Sequence, residues 1–304
     1  MHDSGRSTSA DVTGASDARV GAALDDAAAL LRGGGALLVC AGAGMGVDSG
    51  LPDFRGDAGF WQAYPPYARL GLSFVELADP VHFRADPALA WGFYGHRLGL
   101  YRATVPHAGF GLLRRWGERL PGGLHVFTSN VDGQFQRAGI AAVAEVHGSI
   151  HHLQCVTPCN ERIWPAEGAP PAVDPDTMRA LGPLPRCPWC GDLARPNILM
   201  FGDGSWLGHR TDRALRACEA WLSAATAGAG GDGGPLVVLE IGAGTAVATV
   251  RRAAESLAGG RLIRVNPVAP AVHPGTGVAV PLGALDALTA LDARLDPLGR
   301  RIGA

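Results

Sequence analysis

Residues 36–46 read Ala36-Leu37-Leu38-Val39-Cys40-Ala41-Gly42-Ala43-Gly44-Met45-Gly46, and this stretch decides the fold. Ala36 to Cys40 is a short apolar run with glycine on both sides, Gly33-Gly34-Gly35 before it and a glycine turn after it. An apolar run without polar alternation marks a strand buried on both faces, as parallel strands are. The pattern returns at Leu236–Ile241, which runs into Gly242-Ala243-Gly244. A helical pattern over Ala246–Leu257 and another apolar run at Arg261–Val265 follow it. His125–Thr128 and Val143–Val146 are further short strands, separated by a helical turn around Gly133–Ala138, and Asp17–Arg32 has helical spacing. Strands alternating with helices predict an α/β fold, a doubly wound parallel Rossmann-like sheet with ligands at the carboxyl ends of its strands.

Two stretches do not fit that sheet. Ala85 to Tyr101 carries Leu89, Phe93 and Leu100 at helical spacing, inside a helical insertion at about 57–104. Cys155 to Cys190 is proline-rich and has no core pattern of its own, so residues 151–196 read as a separate module. The sheet domain is then 21–150 and 197–304. Ala227–Gly234 reads as a flexible loop. Residues 1–20 are polar, acidic and small, and read as a disordered tail without the basic start and apolar run of a secretory signal.

Composition excludes several classes of function. A formal net charge of −2 with no Lys/Arg stripe gives no case for nucleic acid. Apolar runs of strand length are far too short to span a membrane. Six cysteines, four of them in two tight pairs, suit a metal site in the reducing cytoplasm better than a disulfide scaffold.

The pairs are Cys155-x3-Cys159 and Cys187-x2-Cys190. Four thiolates on two short turns make a closed tetrahedral structural zinc site, one per chain, with no open position for chemistry. Cys40 and Cys218 fall in a strand and a helix and read as small apolar core residues. Gly42 and Gly44 follow a strand, so backbone can approach a pyrophosphate there with no side chain between. A plain strand-to-helix turn is the bland alternative, because Val47 stands where a dinucleotide fingerprint wants glycine. His147, after a strand and before Gly148, reads as an imidazole at an exposed strand end. Tyr94 and Arg97, three apart, share one helix face, where a phenol and a guanidinium can meet one carboxylate.

Motifs in this order resemble the sirtuin family of NAD-dependent protein deacylases. Gly42–Gly44 matches its first glycine turn, Gly50-Leu51-Pro52-Asp53-Phe54-Arg55 its cofactor loop and Ser129–Asp132 its Asn-x-Asp stretch. His147-Gly148, the cysteine pairs, Arg195-Pro196 with Phe201-Gly202-Asp203, Gly242–Gly244 and Val265-Asn266 complete the series over roughly residues 36 to 290. The resemblance implies NAD as co-substrate, held by Gly42, Ala43, Gly44, Met45, Asp53, Phe54, Arg55, Trp61, Ser129, Asn130, Val131, Asp132, Gly242, Ala243, Gly244 and Asn266. It makes His147 the general base toward a ribose hydroxyl, with Asn130 and Asp132 holding the nicotinamide ribose and a water. Acylated lysine, in a protein or a small amine, would lie along Met200, Phe201 and Gly202. Tyr94 and Arg97 match the Tyr-x-x-Arg of members that remove negatively charged acyl groups such as succinyl and malonyl.

The chain departs from the family at several positions. Gly46 stands for serine, Ser129 for glutamine, Ala243-Gly244 for threonine-serine, Thr249 for proline and Asp203 for glutamate. The stretch from Trp61 to Glu76 is longer than in the acidic-acyl members. Loss of polar side chains keeps open NAD glycohydrolysis or mono-ADP-ribosyl transfer. A non-catalytic NAD- or ADP-ribose-sensing module is a third reading, against which Asn130, Asp132 and His147 are all retained.

Overall fold

All six residues of the strand Ala36–Ala41 (β1) are buried, and it lies at the centre of a six-stranded sheet. The computed structural model describes residues 9–53, 56–227 and 234–295. The chain continues through Leu124–Thr128 (β2), Val143–Glu145 (β3), Gly148–Cys155 (β4), Ile163–Pro165 (β5), Ala172–Val173 (β6), Ala180–Leu181 (β7) and Ala194–Ile198 (β8). Leu236–Ile241 (β9), Leu262–Val265 (β10) and Gly277–Val280 (β11) complete the strands. The large sheet is wholly parallel, in the order β11-β10-β9-β1-β2-β3. The chain first builds outward from β1 to β3, then returns to lay β9 on the other side of β1. That reversal between β1 and β9 is the switch point where open α/β sheets bind ligands.

Alternation along the strands feeds two apolar layers. Leu37, Val39 and Ala41 face one of them, with the helices Ser9–Arg32, Ala108–Arg119 and Ala284–Leu295. Leu38 and Cys40 face the other, with His209–Ala227 and Thr249–Leu257. Cys40 and Cys218 are both buried in this second layer, as core residues. The first helix starts at Ser9, inside the range read as a tail. Its sequence is rich in alanine, the strongest helix former, and Val20 packs on the core. Residues 1–8 lie outside the described residues, as do 228–233 of the expected loop, whose Ala227 instead ends a helix.

A third core joins the two stretches that do not belong to the sheet. The helix Pro87–Ala103, capped by Asp86 on Leu89 N–H, contributes Trp91, Phe93 and Tyr94. The small antiparallel sheet β5-β4-β8 contributes Leu153, Ala194 and Ile198 to the same core. This sheet begins at Gly148, slightly before the expected boundary at 151. Gly92 lies so close to the Met178 carbonyl that any side chain there would overlap it. The Tyr67 hydroxyl donates to that same carbonyl at 3.1 Å, and Trp91 Nε1 donates to Ala194 O at 2.9 Å. The cysteine segment thus borrows its core from the helical insertion, which is why it shows no apolar pattern of its own. Among the described residues no helix is long and apolar enough to cross a membrane.

Candidate active site

Every motif after a strand of the large sheet falls at the carboxyl edge. The turns after β1 and β9 meet there backbone to backbone. Gly42 N–H donates to Ile241 O and Gly44 N–H to Gly242 O, each at 3.0 Å. A Cβ on Gly42 would lie 2.7 Å from Ala243 Cα, and one on Gly44 the same distance from Gly242 Cα. Gly242 itself has φ +62, in the left-handed region that favours glycine. These three glycines are therefore demanded by one another, which sequence reading, treating each turn alone, did not find. Gly244 and Thr245 are exposed, and their N–H groups meet no backbone acceptor among the described residues. Paired amides of this kind at the edge of a parallel sheet suit a phosphate, so the turn fits a dinucleotide.

Residues 43–49 form a short 3-10 helix whose Met45 side chain is wholly buried, leaving only its backbone for a ligand. The Met45 carbonyl lies 2.9 Å from His107 Nε2, while His107 Nδ1 accepts from Gly109 N–H at 3.0 Å. Because Nδ1 accepts, Nε2 must carry the hydrogen that holds the glycine turn. His107 also receives the chain of Ser49, whose Oγ accepts from His107 N–H. Sequence reading missed this residue; its one signal is the position just before the helix Ala108–Arg119.

The loop after β2 is tied to the first turn. Thr128 Oγ1 donates to Ala41 O, and Asn130 Nδ2 donates to Gly42 O at 3.0 Å. Ser129 N–H donates to Ala41 O and Val131 O accepts from Ile150 N–H. Asp132 is 9% exposed, and its Oδ1 accepts from Gln134 N–H at 2.9 Å. Burial, with Glu145 adding to it, pushes the Asp132 carboxyl up to about 6, against the opposing pull of the Gln134 amide and Arg97. His147 follows β3, half-buried, and its ring has no hydrogen-bond partner among the described residues. Burial lowers its pKa, so the imidazole is neutral near pH 7 and free to accept a proton. Its backbone is fixed: His147 O accepts from Leu199 N–H, and Gly148, at φ +80, sits against Asn197 O with no room for a Cβ.

Asn266 is at the end of β10, but its side chain is engaged within the protein. Nδ2 donates to Ala243 O at 3.1 Å, and Oδ1 accepts from Val268 and Ala269 N–H. It therefore braces the β9 turn. Trp61 packs on the helical core and donates to Leu72 O at 2.7 Å. Asp53 is half-buried, while Phe54 and Arg55 lie outside the described residues. Met200 is buried, and Phe201 is exposed against Phe74. Phe201 N–H already donates to Ala78 O at 3.0 Å. The adjoining Asp203 forms a fully buried two-bond pair with Arg195 at 2.7 and 2.9 Å, which gives this aspartate its place. Tyr94 and Arg97 are brought together as their spacing requires, but both face the interior, at 1% and 6% exposure.

The four thiols gather at one point, all within 4.8 Å of one another. Cys155 lies 3.6 Å from Cys190 and Cys159 3.6 Å from Cys187. Zn–S bonds of about 2.3 Å in a tetrahedron put sulfurs about 3.8 Å apart, so the cluster fits a structural zinc ion.

Comparison with known proteins agrees with this geometry. A model of the Sir2 family matches residues 42–229. The chain is similar to NAD-dependent protein deacylase 2 of Pyrobaculum aerophilum, 32% identical over 78% of this chain and 82% of that protein. It is also similar to NAD-dependent protein deacylase 1 of Pseudomonas aeruginosa, 34% identical over 66% and 76%. The mitochondrial NAD-dependent protein deacylase sirtuin-5 of Danio rerio is 32% identical over 62% of this chain and 65% of its own length. Among solved structures, a Sir2 homologue–NAD complex superposes with a TM-score of 0.63 at 25% identity, covering 90% of this chain and 92% of that one. A mutant Sir2 homologue bound to ADP-ribose gives 0.64 at 27%, covering 90% and 98%. A match over more than half of the chain, on a sheet whose carboxyl edge gathers the family's motifs, settles the lineage: the chain belongs to the Sir2 family.

Proposed function

We propose that the protein is an NAD-dependent lysine deacylase of the cytoplasm, releasing nicotinamide and O-acyl-ADP-ribose. The observation that carries this is His147, half-buried at the carboxyl end of β3, beside β2, whose following loop carries Asn130 tied to the first glycine turn at Gly42 O. NAD supplies the electrophilic ribose carbon that the acyl oxygen attacks as nicotinamide leaves. The chain's own groups then act on fixed positions. His147 takes the proton of a ribose hydroxyl, and its neutral form is the one that can. Asn130 and Asp132 orient the nicotinamide ribose and a water. The N–H groups of Gly244 and Thr245 would hold phosphate. Zinc on Cys155, Cys159, Cys187 and Cys190 would brace its segment and take no part in the chemistry.

A second reading, NAD glycohydrolysis or ADP-ribosyl transfer, is favoured by one feature. Phe201 N–H is committed to Ala78 O and Leu199 N–H to His147 O, so part of the edge that would pair with an extended peptide is already used. Mass spectrometry of NAD incubated with a panel of acyl-lysine peptides separates the readings. Acyl-ADP-ribose formed in step with nicotinamide is the expected result. Free ADP-ribose without peptide turnover supports the second reading, and no nicotinamide release leaves a sensing module.

A further inference from the structure

We propose that Arg251 is a positioning residue for the turn after β9, aiming the Gly244 N–H into the switch-point cleft by holding the carbonyl of the same peptide group. The Ala243 carbonyl and the Gly244 N–H belong to one planar trans peptide, so the two point in opposite directions. Two side chains fix the carbonyl end. Asn266 Nδ2 donates to Ala243 O at 3.1 Å and Arg251 Nη2 donates to it at 3.4 Å. With its carbonyl held by these two, the peptide turns its N–H the other way, and Gly244 is exposed with no backbone acceptor among the described residues. Gly242-Ala243-Gly244 has no side-chain hydroxyl, and Ala243 is buried, so an anion at these three residues has only backbone amides to meet.

The grip of Arg251 reaches beyond the turn. The same Nη2 donates to Ala269 O at 2.9 Å, in the loop after β10, so one guanidinium joins that loop to the β9 turn. Asn266 opens the same loop, its Oδ1 accepting from Val268 and Ala269 N–H. Glu240, wholly buried on β9, lies 3.7 Å from Arg251 Nη2 and holds the cation in this place. Arg264 takes both oxygens of that carboxylate, at 2.8 and 2.7 Å, and also reaches Glu255 at 2.7 Å. Glu240 is therefore spent mainly on Arg264, and Arg251 is left to the two carbonyls. A cation on a carbonyl polarises its peptide and makes the N–H of that peptide a stronger donor.

This inference rests on the turn belonging to the cofactor cleft, and ADP-ribose binding tests it without turnover. In ligand-free protein the 15N–1H signal of Gly244, assigned by its loss in Gly244→Ala, should move in Arg251→Met. Calorimetry should show the Kd for ADP-ribose raised about ten-fold, the worth of one misdirected N–H facing a charge. KM for NAD should rise with it, while kcat changes by less than about two-fold. Arg251→Lys keeps a charge beside Glu240 but loses the planar fork, and should raise Kd about three-fold. Glu255→Gln, which loosens the charge cluster without touching the turn, should leave the signal and the Kd at their wild-type values. An unchanged Kd in whichever Arg251 variant folds overturns the proposal, and so does equal weakening in Glu255→Gln. Weaker binding with an unmoved Gly244 signal would make Arg251 a direct anion ligand and overturns it too. Wild-type protein that binds ADP-ribose but releases no nicotinamide defeats the deacylase reading alone, and the Arg251 contrast still decides this proposal. Wild-type protein that binds no ADP-ribose defeats both.

Discussion

Gly44 and Gly242, nearly two hundred positions apart in the chain, lie backbone on backbone, with Gly44 N–H donating to Gly242 O at 3.0 Å. Each fills the space that a side chain on the other would need. Gly44→Ala or Gly242→Ala should therefore cost about 1–3 kcal/mol by overpacking against backbone that cannot yield. Gly244→Ala is the control, because nothing lies within 4 Å of the added methyl. Its effect should stay within about 0.5 kcal/mol. Urea denaturation of the three variants checks the contrast; equal losses would contradict it.

His147→Ala should lower kcat by roughly 10²–10⁴, the usual worth of a positioned general base. The melting temperature should be nearly unchanged, since the ring makes no hydrogen bond among the described residues. Gly148→Ala should do the opposite first, unfolding the β4–β8 pairing before any kinetic effect is read. Nicotinamide release and circular dichroism on both proteins test this.

Asp132→Asn should stabilise the protein and disable it. The folded-state pKa of about 6 lies above the ordinary 3.8, so the folded protein binds this proton more tightly than the unfolded one. The resulting destabilisation is absent below about pH 4, grows between the two values and is complete above pH 6. Its removal is worth about 2–3 kcal/mol at pH 8, and Asn can still accept from Gln134 N–H. Denaturation at pH 4 and pH 8 should show the gain only at the higher pH. A loss of stability at both would show that the carboxylate is needed structurally.

Chelation of metal, or Cys187→Ser, should destabilise the protein by about 4 kcal/mol or more rather than alter KM for NAD. Metal analysis should give about one zinc per chain, as a single four-thiolate site requires. A fully stable, metal-free preparation would disprove the assignment.

The strands were legible because a parallel strand buried on both faces leaves an unbroken apolar run between glycines, as Ala36–Ala41 and Leu236–Ile241 do. Their order was legible only as a class, since pairing of β1 with β9 joins distant segments. The spacing of Tyr94 and Arg97 correctly put them on one face of one helix. It could not say what covers that face, because Phe83, Tyr64 and β4 arrive from elsewhere in the chain. Asn266 carried a local warning in Pro267, which marks a turn stabilised by the asparagine side chain. Ser9 to Ser16 read as a tail because its residues are small and mostly polar, although alanine there favours helix.

The seam between Gly92 and Met178 has a kinetic meaning as well as a structural one. The Pro87–Ala103 helix finds its covering strands only after the chain has passed Ala194, a closure that must bring together widely separated segments. Until then Arg97 has the rings of its own helix but not the rest of its wall. The last wall around the arginine is therefore a long-range contact, and zinc held by the four cysteines would brace the segment that supplies it.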